Sequence, residues 1–188
     1  AAGAHLVVYP ELTLTGYPPE DLLLRPELLQ RVRSALDRIR EASNAIDPGL
    51  ALVIGYPCAA MGGLFNAAGV IRGGRIVAEY AKEHLPNYSV FDEKRYFQPG
   101  AVAVVFEHRG LSFGLSVCED IWVDDGPSHL QVAGGGARLI VNISASPYHR
   151  RKGPERERLM QRRAREHRCH LCYVNLVGGQ DELVFDGG

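Results

Sequence analysis

The sequence predicts an α/β layered domain built from two packed, mixed β-sheets flanked by helices. Three observations lead there. Helical periodicities alternate with short apolar strands. Two β-hairpins interrupt that alternation, which argues against a purely parallel sheet. Strands also outnumber helices by too many for one sheet covered on both faces. At 188 residues the chain suits a single domain, and 46% hydrophobic residues supply an ordinary globular core.

Each element has its own signal. "HLVVYPE" (5–11) is a β-branched apolar run ended by proline, as a buried strand should be. A Gly- and Pro-rich loop, "LTLTGYPPEDLLL", follows it. From Pro26 to Ser43, Leu28, Leu29, Val32, Leu36 and Ile39 recur at the 3–4 spacing of an amphipathic helix, with Pro26 at its start and Asp47-Pro48-Gly49 past its end. "LALVIGYP" (50–57) is a second buried strand. Residues 65–82 read as a hairpin turning at Gly73-Gly74, and 101–120 as another turning near Arg109-Gly110. A helix over 127–136, a strand over 138–146, a helix over 154–168 and a strand over 169–179 complete the chain. No repeat or low-complexity segment interrupts it.

Net charge is −1 and the pI is near 6.7, so no global field draws the protein to nucleic acid or to a membrane. No apolar run approaches the roughly 20 residues of a membrane span, and no signal-peptide succession opens the chain. Four cysteines (Cys58, Cys118, Cys169, Cys172) are too few for a disulfide scaffold. A reducing, cytoplasmic setting is expected. A strand begins five residues in and another ends at "FDGG", so the chain reads as cut from something longer at both ends.

The chemistry gathers just past three strands. "VVYPE" delivers Glu11, "VAEYAK" delivers Lys82 and "FGLSVC" delivers Cys118. In layered α/β folds, strand ends and the loops beyond them are where functional groups collect. A thiolate is a nucleophile, a neighbouring Lys⁺ lowers its pKa and holds a developing oxyanion, and a carboxylate moves the proton. In "LSVCEDIW" (115–122) the thiol is followed by Glu119 and Asp120, whose charges disfavour a thiolate, so Lys82 is the offsetting charge this reading needs. Taken singly, each residue also has a plainer reading. A cysteine after an apolar strand is commonly core, and a lone Glu or Lys is commonly surface. Spacing alone leaves both open.

Longer words narrow the choice. "YPELTLTGYPPEDLL" (9–23), "KEHLPNYSVFDEKRYFQPG" (82–100), "GLSVCEDIW" (114–122) and "NISASPYHRRKGPERE" (142–157) resemble the glutaminase domain of bacterial glutamine-dependent NAD synthetases, in the nitrilase or carbon–nitrogen hydrolase superfamily. The resemblance runs in order from residue 5 to about 188, and the LPNY–FDE–RYF block is its most specific part. It implies a nitrilase-like α-β-β-α sandwich, incomplete at both ends. It implies catalytic roles for Glu11, Lys82 and Cys118, and for Glu93 as the group that orients Lys82 and shares its proton traffic. It places Tyr88, Glu119, Trp122, Ser146 and Tyr148 around L-glutamine, with Glu119 holding the α-ammonium, and no metal. The resemblance further implies a synthetase domain on the same chain, which would use ATP and Mg²⁺, no cofactor in this domain, and a homo-oligomer.

Four rivals compete with it. "HRCHLC" (167–172) suggests zinc, but a structural site usually needs a second, separated ligand pair, and alternation in "CHLCYVNLV" suits a buried strand. Residues 149–168 carry nine Lys/Arg against three Glu, which suggests an RNA-facing helix. No aromatic is interleaved after Tyr148 to stack bases, so the expected arrangement is a charged helix with Leu159, Met160 and Ala164 inward, and the resemblance implies an assembly surface on its outer side. A free-standing amidase or nitrilase keeps the same three residues for another small amide. A Cys–His pair would join Cys118 to His84 or His149.

Overall fold

Sheet one begins with a short strand, β1 (Leu6–Val8), parallel to β2 (Ala51–Ala60). The β2 strand pairs antiparallel with β3 (Gly63–Arg72), which pairs antiparallel with β4 (Arg75–Ala81), giving the order β1-β2-β3-β4. The expected turn at Gly73-Gly74 joins β3 to β4, both glycines having positive φ. Sheet two has the order β5-β6-β7-β8, with β5 (Val105–His108) antiparallel to β6 (Leu111–Val117). The parallel strands β7 (Leu139–Ser144) and β8 (His170–Asn175) follow. The computed structural model describes residues 3–60, 62–124 and 126–188.

Period-2 alternation decides how the sheets stack. Val53 of β2, Val70 of β3, Phe113, Leu115 and Val117 of β6, and Val141 and Ile143 of β7 meet in one core between the sheets. On the outer face of sheet one lies α1 (Pro26–Ile46), whose Val32 and Leu36 pack on Leu52, Ile54 and Ile71. Burying each such side chain stabilises the layer by roughly 1.5–3 kcal/mol. On the outer face of sheet two lie α2 (Pro127–Ala133) and α3 (Lys152–His167), with Leu159 against Ile121 and Ile140. The layering is the α-β-β-α sandwich that the sequence implies. Among the described residues no helix is long and apolar enough to cross a membrane.

Three expectations need correction. The strand read over 169–179 is two strands. Leu176 turns the chain out of sheet two, and β9 (Val177–Gln180) pairs with β10 (Leu183–Asp186) as a separate hairpin. Apolar alternation runs on through this corner, so the pattern alone did not reveal it. The first strand of the second hairpin starts at Val105 rather than 101. On α3 the inward row includes Arg156 and Arg163, both buried with Leu159, while Met160 and Ala164 are only half-buried.

The zinc reading loses its geometry in this fold. Cys169 packs with the helix layer and Cys172 with the core between the sheets, so strand alternation sends the two thiols to opposite faces. Among the described residues no three His, Cys, Asp or Glu side chains stand together as metal ligands.

Candidate active site

Both sheets end at the same place. Glu11 follows β1 after Pro10, and its chain lies tight on β2: a β-carbon at Gly55 would collide with the Pro10 carbonyl and the Leu12 amide. A glycine is therefore required at 55 for Glu11 to sit where it does. Lys82 follows β4, and its amide donates to the Asn66 carbonyl at 2.8 Å, which prolongs the pairing with β3. Cys118 follows β6, and Ala145 follows β7.

The charged groups form one buried chain of bonds. Lys82 Nζ donates to Glu11 Oε1 at 2.8 Å and to Glu93 Oε1 at 2.8 Å. Asn66 Nδ2 donates to Glu11 Oε1 at 2.7 Å, and the Ala145 N–H donates to Glu11 Oε2 at 2.8 Å, so a residue of sheet two fixes a carboxylate of sheet one. The Tyr17 hydroxyl donates to Glu93 Oε1 at 2.9 Å. Glu11 and Lys82 are fully buried. An ammonium has three N–H groups; two hold the carboxylates, and one is left.

Burial and charge oppose each other here. Burial alone would lower the Lys82 pKa, but the charges of Glu11 and then Glu93 outweigh it and hold the ammonium well above its ordinary value. Burial pushes the Glu93 carboxyl up to about 7, and the Glu11 charge adds to that push while Lys82 opposes it. One ammonium does not compensate two dry carboxylates.

Cys118 begins a short 3-10 turn (Cys118–Ile121) with φ +45°, the left-handed region that non-glycine residues seldom occupy. Such a residue costs on the order of 1–3 kcal/mol and persists only where its surroundings fix it. Asp120 does that. Its buried Oδ2 accepts from the Val117 N–H at 3.1 Å and the Tyr80 hydroxyl at 2.7 Å, and Oδ1 accepts from the Glu83 and His84 N–H groups at 3.2 and 2.8 Å. Those donors flank Lys82 on both sides and precede Cys118, so Asp120 ties the thiol's turn to the lysine's strand.

The expected effect of Lys82 on the thiol is present but outweighed. Lys82 does lower the Cys118 pKa, but burial first, then Glu11, with Glu93 and Glu119 adding, raise it well above the ordinary value. The resting group is a neutral thiol, because the Lys82 charge is already committed to two carboxylates. A nucleophilic role would therefore require a base to take its proton. No hydrogen bond joins Cys118 to His84 or His149 among the described residues. The His84 ring contacts Asp120 Oδ1 at 3.2 Å, and His149 Nδ1 faces the Arg150 carbonyl at 3.1 Å. The Cys–His alternative thus has no hydrogen bond behind it, although His149 lines the same cavity as Cys118.

Cys118 opens into a cavity of about 360 Å³ whose walls include Tyr88, Glu119, Trp122, Ser146 and Tyr148, all five residues the sequence resemblance placed there. The Tyr88 hydroxyl sits 3.0 Å from both oxygens of Glu119. Ser146 is pinned by Asn175, which accepts its N–H at 2.7 Å and donates to its carbonyl at 3.1 Å. Sequence reasoning missed Lys152, which lines the cavity with Nζ 3.8 Å above the Trp122 ring. Its place inside a run of arginines concealed it. Tyr17 and Asp120 were also missed: both stood in quoted words, but the bond of Tyr17 spans 76 residues and those of Asp120 to the lysine's strand and the loop after it span 36 to 40.

A two-sheet sandwich with a thiol turned out of a strand end beside a buried acid–ammonium chain is a scaffold for attack on a carbonyl carbon. The carbon-nitrogen hydrolase family model matches residues 1–188, and the chain belongs to that family. Its relatives include the glutamine-dependent NAD(+) synthetase of Aquifex aeolicus, 47% identical over 184 residues, which cover 98% of this chain and 32% of that protein. The solved glutamine-dependent NAD+ synthetase of Acinetobacter baumannii, in complex with ADP, superposes with a TM-score of 0.90 at 38% identity over 98% of this chain and 34% of its own. A mutant amidase from Nesterenkonia sp. AN1, showing covalent addition of the acetamide moiety of fluoroacetamide at its active site cysteine, superposes at 0.85 with 28% identity, over 99% of this chain and 68% of its own. The chain spans about a third of the length of the curated relatives it matches.

Proposed function

We propose that this domain hydrolyses the side-chain amide of L-glutamine through a thioester on Cys118. As the Cys118 sulfur attacks the amide carbon, Glu11 accepts the thiol proton. The third N–H of Lys82 and the Glu119 backbone N–H face the oxyanion, each such donor being worth roughly 3–4 kcal/mol in the transition state. Glu11 returns its proton to the amine, ammonia leaves, and the thioester remains. Water then attacks, giving its proton to Glu11, and glutamate departs as Cys118 is reprotonated. Glu93 and Tyr17 hold Lys82 in register.

One observation carries the choice of substrate. The cavity that holds the thiol also holds an acid, Glu119, and an ammonium, Lys152. That pair suits the α-ammonium and α-carboxylate of an amino acid and is wasted on a simple amide. Charge-assisted bonds contribute about 1.5–3 kcal/mol each, so kcat/KM for L-glutamine should exceed that for acetamide by roughly 10²–10⁴-fold. Ammonia release measured with both substrates checks this, and equal values would favour a free-standing amidase.

The names of the relatives support a wider reading. Ammonia made here passes to an ATP- and Mg²⁺-dependent synthetase domain of the same chain, which amidates nicotinate adenine dinucleotide to NAD. No cofactor is required in this domain, and the working form is a cytoplasmic homo-oligomer.

A further inference from the structure

The inward face of α3 carries two arginines that the sequence reading did not foresee. Lys152, Arg156, Leu159 and Arg163 follow one another at spacings of four, three and four, which puts them on one side of the helix. Arg156 and Arg163 are 5% and 3% exposed. Arginine is almost never so buried unless its donors are matched, and here they are matched by carbonyls and carboxylates that include the cavity-wall carbonyls of Trp122 and Ser146. Arg163 Nε donates to the Ile121 carbonyl at 2.9 Å, and its Nη2 donates to the Trp122 carbonyl at 2.9 Å. Glu166 and Asp124 take further N–H groups at 2.9 and 2.8 Å. Arg156 holds both carboxylate oxygens of Asp186 on β10, the strand whose Leu183 lines the cavity, and reaches the Ser146 carbonyl at 3.5 Å.

We infer that Arg163 is a positioning residue for substrate selection: together with Arg156 it hangs the Trp122 and Ser146 walls from one helix and so sets the width of the cavity. The proposal rests on the glutaminase reading above. It separates two tasks that share the turn after β6. The Cys118 end is tied by Asp120 through the Val117 N–H, whereas Arg163 grips only the last two carbonyls, at the end that bears the Trp122 ring. Lys152 covers that ring from the same helix. Loss of Arg163 therefore moves a wall and leaves the reacting groups in place.

The test is steady-state kinetics of Arg163→Lys and Arg163→Met in the purified protein, with the rate of Cys118 alkylation by iodoacetamide as a second readout. A lysine can satisfy one carbonyl and a methionine none. The KM for L-glutamine should rise severalfold in Arg163→Lys and roughly 10–100-fold in Arg163→Met, with kcat and the alkylation rate within about twofold of the parent. The preference for L-glutamine over acetamide should narrow in the same order. Arg158→Met, which removes an exposed arginine of the same helix, should change none of these. The inference is overturned if KM stays fixed while kcat and alkylation fall together, or if neither variant departs from the parent. Should Arg163→Met not fold, the charge-retaining Arg163→Lys decides alone, an unchanged KM counting against the proposal. A parent protein with no activity on glutamine would overturn both readings; an active one with unmoved KM overturns this one only.

Discussion

Replacing Glu11 by Gln should lower glutamine hydrolysis by at least about 10³-fold while the protein remains folded. General acid–base groups contribute roughly 10²–10⁴-fold, and Glu11 is asked to act in both halves of the reaction. It takes a proton from a thiol that burial keeps neutral, and later from water. The substituted amide keeps one acceptor for the Ala145 N–H or the Lys82 ammonium but does not accept a proton. Stability should fall by less than the roughly 3–5 kcal/mol typical of an orphaned buried charge, since Glu93 still pairs with Lys82 at 2.8 Å. Ammonia release and a thermal melt measure both effects. Activity within tenfold of the parent would mean another base does the work.

Lys82→Met should abolish activity and also unsettle the fold, in a manner that depends on pH. The ammonium is fully buried between two carboxylates, and a thioether of similar length leaves those carboxylates facing each other without compensation. Removing one partner of a buried pair costs about 3–5 kcal/mol. The sign with pH follows from Glu93, already raised to about 7 with Lys82 opposing the shift. Without Lys82 the folded-state Glu93 pKa rises further, while its unfolded value stays at about 4.3. Between those limits the folded state binds more protons than the unfolded, so stability falls as pH rises. The variant should melt at a higher temperature at pH 5.5 than at pH 8. A melting point that climbed over that interval would show that the lysine is not compensating those charges.

How much of this was legible in the sequence depended on how local each signal was. Glu11, Lys82 and Cys118 could be singled out because each comes just past an apolar strand, where a layered fold gathers its chemistry. Spacing left their plainer readings open, and the resemblance decided between them. The turns at Gly73-Gly74 and Arg109-Gly110 were legible because their signals are local. Glu93 and the cavity walls came from resemblance alone, since nothing local distinguishes the Glu of "FDEK" from a surface acid. Asp120 and Arg163 were hidden because a charge looks solvated in a sequence until tertiary structure supplies its partners. Arg163 finds two backbone carbonyls 41 and 42 residues away. The balance of charge at the thiol was hidden for a related reason. A lysine was counted as free charge, whereas Glu11 and Glu93 already neutralise it.

In this mechanism Cys118 carries the substrate's acyl group between two proton transfers managed by Glu11. Acid quenching during turnover of L-glutamine, followed by peptide mass mapping, reads this directly. A glutamyl adduct should appear on the Cys118 peptide in the parent protein and be absent in Glu11→Gln. An adduct on any other residue, or unchanged ammonia release after Cys118 has been blocked, would contradict it.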